Sequence, residues 1–110
     1  MRPITVSRVS AGTSAIVPMN WNANPNGYTF QTSFTGTVTY SIEWTLDDPF
    51  SASAPTNWTA YTGASAVSGA VGLNFANFPV RAVRINVTVG ATGSDTVTLT
   101  ILQSAGITGV

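Results

Sequence analysis

Residues 83–101 read V-R-I-N-V-T-V-G-A-T-G-S-D-T-V-T-L-T-I, and this stretch decides the fold class. Val83, Ile85, Val87 and Val89 alternate with Arg84, Asn86 and Thr88. After a break, Val97, Leu99 and Ile101 alternate with Thr96, Thr98 and Thr100. Successive side chains of a strand point to opposite sides, so a period of two sets one apolar face against a core. The other face meets solvent or a partner. Two half-buried antiparallel strands are predicted, with Gly90–Ser94 as a hairpin loop between them.

The same period recurs upstream. Val38, Tyr40, Ile42 and Trp44 share one face of residues 37–45, opposite Thr37, Thr39, Ser41, Glu43 and Thr45. Weaker runs lie at 4–9, where Val9 breaks the parity of Ile4 and Val6, and at 28–34, where Tyr28, Phe30 and Phe34 align. Short strands are expected near Ala15–Val17, Asn57–Tyr61 and Val71–Phe75. Thr35-Gly36 has the length of a tight hairpin between the 28–34 and 37–45 runs, with glycine supplying a positive φ. Leu46–Thr56, with two prolines and a run of small residues, reads as a long loop, and such loops often carry function. No window has a helical period. About seven or eight short strands broken by Gly, Pro and Asn predict an all-β, antiparallel two-sheet sandwich. A jelly-roll arrangement is favoured over an immunoglobulin-like one, because the paired cysteines flanking a tryptophan are missing. A single domain over the 110 residues is expected, with a frayed tail at 104–110.

Composition removes several function classes. With no cysteine and no histidine, thiol nucleophiles, Cys/His zinc sites and serine–histidine triads are excluded. Charged residues make up 7% of the chain, against roughly 25% in an average domain, and lysine is absent. Four arginines (Arg2, Arg8, Arg81, Arg84) balance four acids (Glu43, Asp47, Asp48, Asp95), leaving no net charge to attract nucleic acid or anionic membrane. Gly63, Gly69 and Gly72 lack the spacing and the lysine of a phosphate loop. So few charges offer little repulsion between copies, which favours self-association.

Asp47-Asp48 is the one acidic pair, and Pro49 follows it. Adjacent residues at a strand end point in different directions. A turn whose carboxylates bond nearby amides is therefore expected, rather than a pair sharing a substrate. A calcium site there lacks the ligand spacing of an EF-hand loop. Trp44 and Tyr40 belong to the core. Trp21 and Trp58 stand among Asn and Thr, where a ring can stack on a sugar or anchor an interface, or else cap the core, and Tyr61 joins them as a candidate exposed aromatic for a sugar. The Asn57-Trp58-Thr59 and Asn86-Val87-Thr88 sequons read as chance in a chain rich in Asn and Thr.

Three segments carry a family likeness: R-P-I-T-V-S-R-V-S-A-G at 2–12, T-G-T-V-T-Y-S-I-E-W-T-L-D-D-P-F at 35–50, and F-P-V-R-A-V-R-I-N-V-T-V-G at 78–90. In that order, across most of the chain, they resemble small tailed-bacteriophage virion proteins of the capsid cement or decoration type. These are strand patterns rather than site motifs. The resemblance implies a non-enzymatic virion protein that binds the major capsid protein as a homo-oligomer, with a trimer favoured. It implies no cofactor, metal, nucleic acid or membrane. A carbohydrate-binding or adaptor module of a tail fibre or baseplate is the alternative. An enzyme built on Glu43, Asp47 or Asp48 is the least favoured. The candidate interface residues are Arg2, Ile4, Arg8, Trp21, Pro49, Phe50, Trp58 and Tyr61. Contact is expected mainly from Met1–Val9 and Leu46–Thr56, neither of which is needed to complete the core.

Overall fold

In the computed structural model, which describes residues 3–19, 27–76, 78–90 and 94–103, the three strongest alternating runs are all strands. The order is β1 (Ile4–Val9), β2 (Gly12–Thr13), β3 (Val17–Pro18), β4 (Gly27–Thr35), β5 (Thr39–Thr45), β6 (Thr59–Ala60), β7 (Gly72–Ala76), β8 (Ala82–Val89) and β9 (Thr96–Gln103). No helix occurs among the described residues. Two antiparallel sheets face each other as a sandwich. Sheet I has the order β1-β9-β4-β7, and sheet II the order β2-β8-β5-β6 with β3 also pairing β8.

Both expected hairpins are corrected by this topology. β4 lies in sheet I and β5 in sheet II, so Thr35-Gly36 crosses between sheets; β8 and β9 are separated in the same way. Alternation reports which face of a strand is buried, not which strand lies beside it. The glycine requirement survives the change of partner. Gly36 has φ 81°, and a Cβ there would collide with the Asp95 carboxylate. The first strand occupies residues 4–9, as expected. Ser10 at φ 65° and Gly12 at φ 129° carry the chain from the edge of sheet I to the edge of sheet II.

The inward faces of both sheets make the core. Phe30, Val97, Leu99 and Ile101 of sheet I meet Tyr40, Ile42, Val83, Ile85 and Val87 of sheet II, each 2% exposed or less. Burying an aliphatic or Phe side chain of this size is worth about 1.5–3 kcal/mol. Two inward residues fail to be covered. Phe34, near the end of β4, is 39% exposed, and Val89 is 54% exposed. The register shifts between Tyr40–Val87 and Thr39–Val89, so Thr88 is an extra residue and the alternation ends there. Met1–Val9 was not expected to be needed to complete the core. Instead, all of β1 pairs with β9, and Val6 packs against the core cluster.

Buried hydroxyls bridge the sheets. Tyr28 in β4 donates to the Phe78 carbonyl (2.7 Å) and so accepts from the Tyr61 hydroxyl (3.2 Å), just beyond β6. Tyr40 in β5 donates to the Gly69 carbonyl (2.7 Å) and accepts from Thr32 of β4 (2.6 Å). The Val71 N–H in turn donates to Thr32 Oγ1 (2.8 Å). Each buried hydroxyl is satisfied, as a low-dielectric interior demands.

Burial pushes the Tyr28 hydroxyl up to about 12, and burial likewise raises that of Tyr61. Both rings stay neutral in the fold, whereas in the unfolded chain they ionise near the ordinary value of 10.0. Their contribution is therefore complete below that value and is lost as pH rises through the raised ones. Denaturant unfolding from neutral to alkaline pH should show level stability and then a decline above the ordinary tyrosine range. Tyr61→Phe should cost about 1 kcal/mol at neutral pH through the lost hydrogen bond, and should make the alkaline decline shallower.

Candidate interaction site

Leu46–Thr56 leaves β5 at one end of the sandwich, and its own side chains brace it. Thr45, which the alternation places outside, is fully buried, and its Oγ1 accepts from the Asp47 N–H (3.0 Å). Asp47 Oδ2 then accepts from the N–H groups of Thr56 (3.0 Å) and Asn57 (3.1 Å), closing the loop at its base. These backbone donors at Asn57 and Thr56 hold the Asp47 carboxyl below its ordinary range. Asp48 Oδ1 accepts from the Phe50 N–H (2.9 Å) in a tight Asp-centred turn and lies 3.7 Å from Arg81. The acidic pair thus bonds backbone amides, as the turn reading expects.

The most exposed large apolar side chains among the described residues lie here, Phe50 within the braced loop and Leu46 just before its Asp47 clamp. Phe50 is 71% exposed and Leu46 62%. Pro49, between the Asp48 turn and Phe50, is half-buried. The base rests on the outer face of sheet II. Trp58 donates its ring N–H to the Pro55 carbonyl (3.1 Å), and the Arg84 guanidinium lies 4.2 Å from the centre of its ring. Arg84 also pairs with Glu43 (2.8 Å), so the cation is fixed from two sides.

The candidate residues separate accordingly. Ile4 is 37% exposed and stands opposite Ile101 in β9. Two residues along β9, Gln103 faces Tyr28, whose hydroxyl reaches Phe78; the Thr45–Ala82 pair lies at this end too. Ile4 and Phe50 therefore belong to the same end of the sandwich. Of the eight exposed large apolar side chains among the described residues, five gather toward it: Ile4, Leu46, Phe50, Phe78 and Leu102. Arg8 lies toward the opposite end, half-buried, with Nη2 donating to the Ala11 carbonyl (2.6 Å). Arg2 and Trp21 lie outside the described residues.

Tyr61 is a correction. It was expected among surface aromatics, yet it is 2% exposed, with ring centres 4.8 Å from Phe75 and 5.1 Å from Phe30. Its position after a two-residue edge strand, with its N–H donated to the Ile42 carbonyl (2.9 Å), directs the ring inward. Trp58 is half-buried under Arg84 and neither caps the core nor offers that face. Leu46 lies in the segment expected to make contact; parity alone would continue it from the inward positions of 38–44, but β5 ends at Thr45 and leaves it exposed.

The two outer faces differ. On sheet II, Ser41 accepts from the Ala66 N–H (2.9 Å), and Glu43 and Thr45 are engaged by Arg84 and Asp47, so loops roof β5. On sheet I the outward residues of β4 and β9, among them Thr29, Gln31, Ser33, Thr96, Thr98 and Thr100, are uncharged. A depression of about 290 Å³ opens there between Pro3, Thr29, Gln31, Thr100 and Leu102. Among the described residues no three Asp or Glu side chains gather to hold a metal. No described helix is long and apolar enough to cross a membrane. No protein family matches the chain, and no curated protein or solved structure is significantly similar to it.

Asp47→Ala removes the clamp at the loop base without touching the core. The Thr56 and Asn57 amides should then exchange with solvent at least tenfold faster in a hydrogen-exchange experiment, while core amides keep their protection. Acidification should do the same to the intact chain. The clamp is complete above the ordinary Asp value of 3.8 and is lost as pH falls through the lowered one.

Proposed function

We propose that the chain is a non-catalytic structural protein of a tailed-phage virion, of the capsid cement or decoration type, bound to the major capsid protein. The observation that carries this reading is the braced loop with Phe50 71% exposed. A large apolar side chain held out in water on a fixed loop is the usual anchor of a protein interface, already ordered and so losing little entropy on binding. Ile4 and Leu102 at the same end supply further apolar contact. The carboxylates of Glu43, Asp47 and Asp48 are each engaged by a structural partner, which agrees with a chain that performs no reaction. The carbohydrate alternative receives less support, since Tyr61 is in the core and Trp58 lies under Arg84.

Quantitative analysis of purified particles should find the chain at hundreds of copies, in fixed ratio to the major capsid protein. A dozen or fewer would move it to the tail. Phe50→Ser should leave the unfolding transition in place and weaken rebinding to particles stripped of the chain roughly tenfold to a hundredfold. Undiminished rebinding would remove the loop from the interface.

A further inference from the structure

The hydrogen-bond parity of β1 fixes which of its backbone groups point outward. The Ser10 N–H donates to the Asp95 carbonyl (2.9 Å), so the pair beside Val9–Thr96 is a bonded one. In an antiparallel ladder bonded pairs alternate, which makes Arg8–Val97, Val6–Leu99 and Ile4–Ile101 the bonded pairs of β1. The far side of the sheet gives the same answer. The Thr32 N–H donates to the Val71 carbonyl (2.9 Å), so even-numbered residues of β4 bond toward β7 and odd-numbered ones toward β9. That leaves the odd-numbered residues of β9 for β1. Thr5, Ser7 and Val9 therefore turn N–H and C=O away from the sheet, and no described residue takes them up.

A free edge of this kind is usually guarded by lysine, proline, a bulge or an inward charge. β1 has no lysine and no internal proline, and its ladder with β9 is unbroken. Its one inward charge, Arg8, is turned back along its own chain. Nη2 is held by the Ala11 carbonyl, and the guanidinium lies over Gly12, where any Cβ would collide with it.

We propose that β1 pairs with β1 of a second copy, antiparallel, about a two-fold axis at Ser7. The two four-stranded sheets then continue as one of eight. Three things favour a second copy over a foreign strand. The edge is self-complementary: Ser7 faces Ser7, Thr5 faces Val9 of the other copy, and every outward N–H meets an outward C=O. The register centred on Ser7 is favoured, because a shift onto Arg8 would oppose two guanidinium-bearing residues and a shift onto Val6 would set Val9 against Pro3, which has no N–H to donate. The uncharged outer face beside β1 adds no repulsion between copies. An isologous contact of this sort closes at two subunits, in place of the trimer that the family resemblance implies. The pairing concerns the chain alone and stands whether or not a capsid is its partner.

Six residues per edge make a small interface, below the roughly 1,200 Å² of a standard one, so a weak, concentration-dependent dimer is expected. Amide exchange on the wild-type chain, from low micromolar to near-millimolar concentration, should slow about tenfold at Thr5, Ser7 and Val9. Val6 and Arg8, already bonded to β9, should not change. Ser7→Pro removes an outward N–H and no ladder bond to β9, losing within the chain only the hydroxyl contact with Thr98 (3.0 Å), and should abolish that protection and leave a monomer in sedimentation. Asn74→Pro, the equivalent change on the free edge of β7, should leave the dimer intact. Exchange that is independent of concentration overturns the proposal. So does loss of association in Asn74→Pro, which means head-to-tail β1–β7 contact. If Ser7→Pro fails to fold, the wild-type exchange series decides alone.

Discussion

Tyr61 holds the loop-bearing end of the sandwich together. Its ring meets Phe30, Trp44, Phe75 and Phe78. Its hydroxyl reaches Tyr28 across the sheets, and its N–H bonds the Ile42 carbonyl of β5. One residue thus ties the strand that ends the long loop to both sheets. The loop departs from β5 and returns through β6, immediately before Tyr61, so its exit and its return are fixed to the same packed layer. Asp47 closes the base between these fixed points. Without that layer Phe50 would be a side chain on a floppy connection, and ordering it on binding would cost more.

A second consequence is the difference between the two outer faces. The chain from Tyr61 to Val67 lies along β5, where the Tyr40 and Val67 N–H groups each donate to the other's carbonyl (2.9 and 2.8 Å) and the Ile42 N–H donates to Ala64 (3.0 Å). This satisfies the β5 edge, while Trp58 lies against Arg84 on the outside of sheet II. Sheet I keeps an open, hydroxyl-rich outer face and the free edge of β1. A protein with so few charges has little electrostatic protection against pairing. Its contacts must be set by backbone geometry and apolar fit, which is where the Phe50 loop and the odd-numbered groups of β1 stand out.

The sandwich was legible in the sequence because half-burial writes itself as alternation. Val97, Leu99, Ile101, Val83, Ile85 and Val87 are inward as expected. The partners of those strands were not legible. A short Gly-containing gap serves a hairpin and an inter-sheet crossing equally well, and only tertiary packing separated β4 from β5 and β8 from β9. The site was half legible. Asp47-Asp48-Pro49 announced a turn, and Phe50 was marked as a contact residue. The clamp on Thr56 and Asn57 depends on where the chain returns, which local pattern does not encode. Tyr61 was misread because its neighbours are Thr, Ala and Gly, while its burial comes from residues far away in the chain.

The central claim is that contact runs through apolar side chains on a preorganised, nearly chargeless surface. It is tested most directly by rebinding of the purified chain to stripped particles across a salt series from low to well above physiological. Exposed charges separated by more than about 8 Å are screened at physiological ionic strength, whereas apolar contact is not. The predicted result is an affinity that stays level or rises slightly with salt. A steep loss of binding at moderate salt would contradict the account and assign the contact to the arginines and carboxylates.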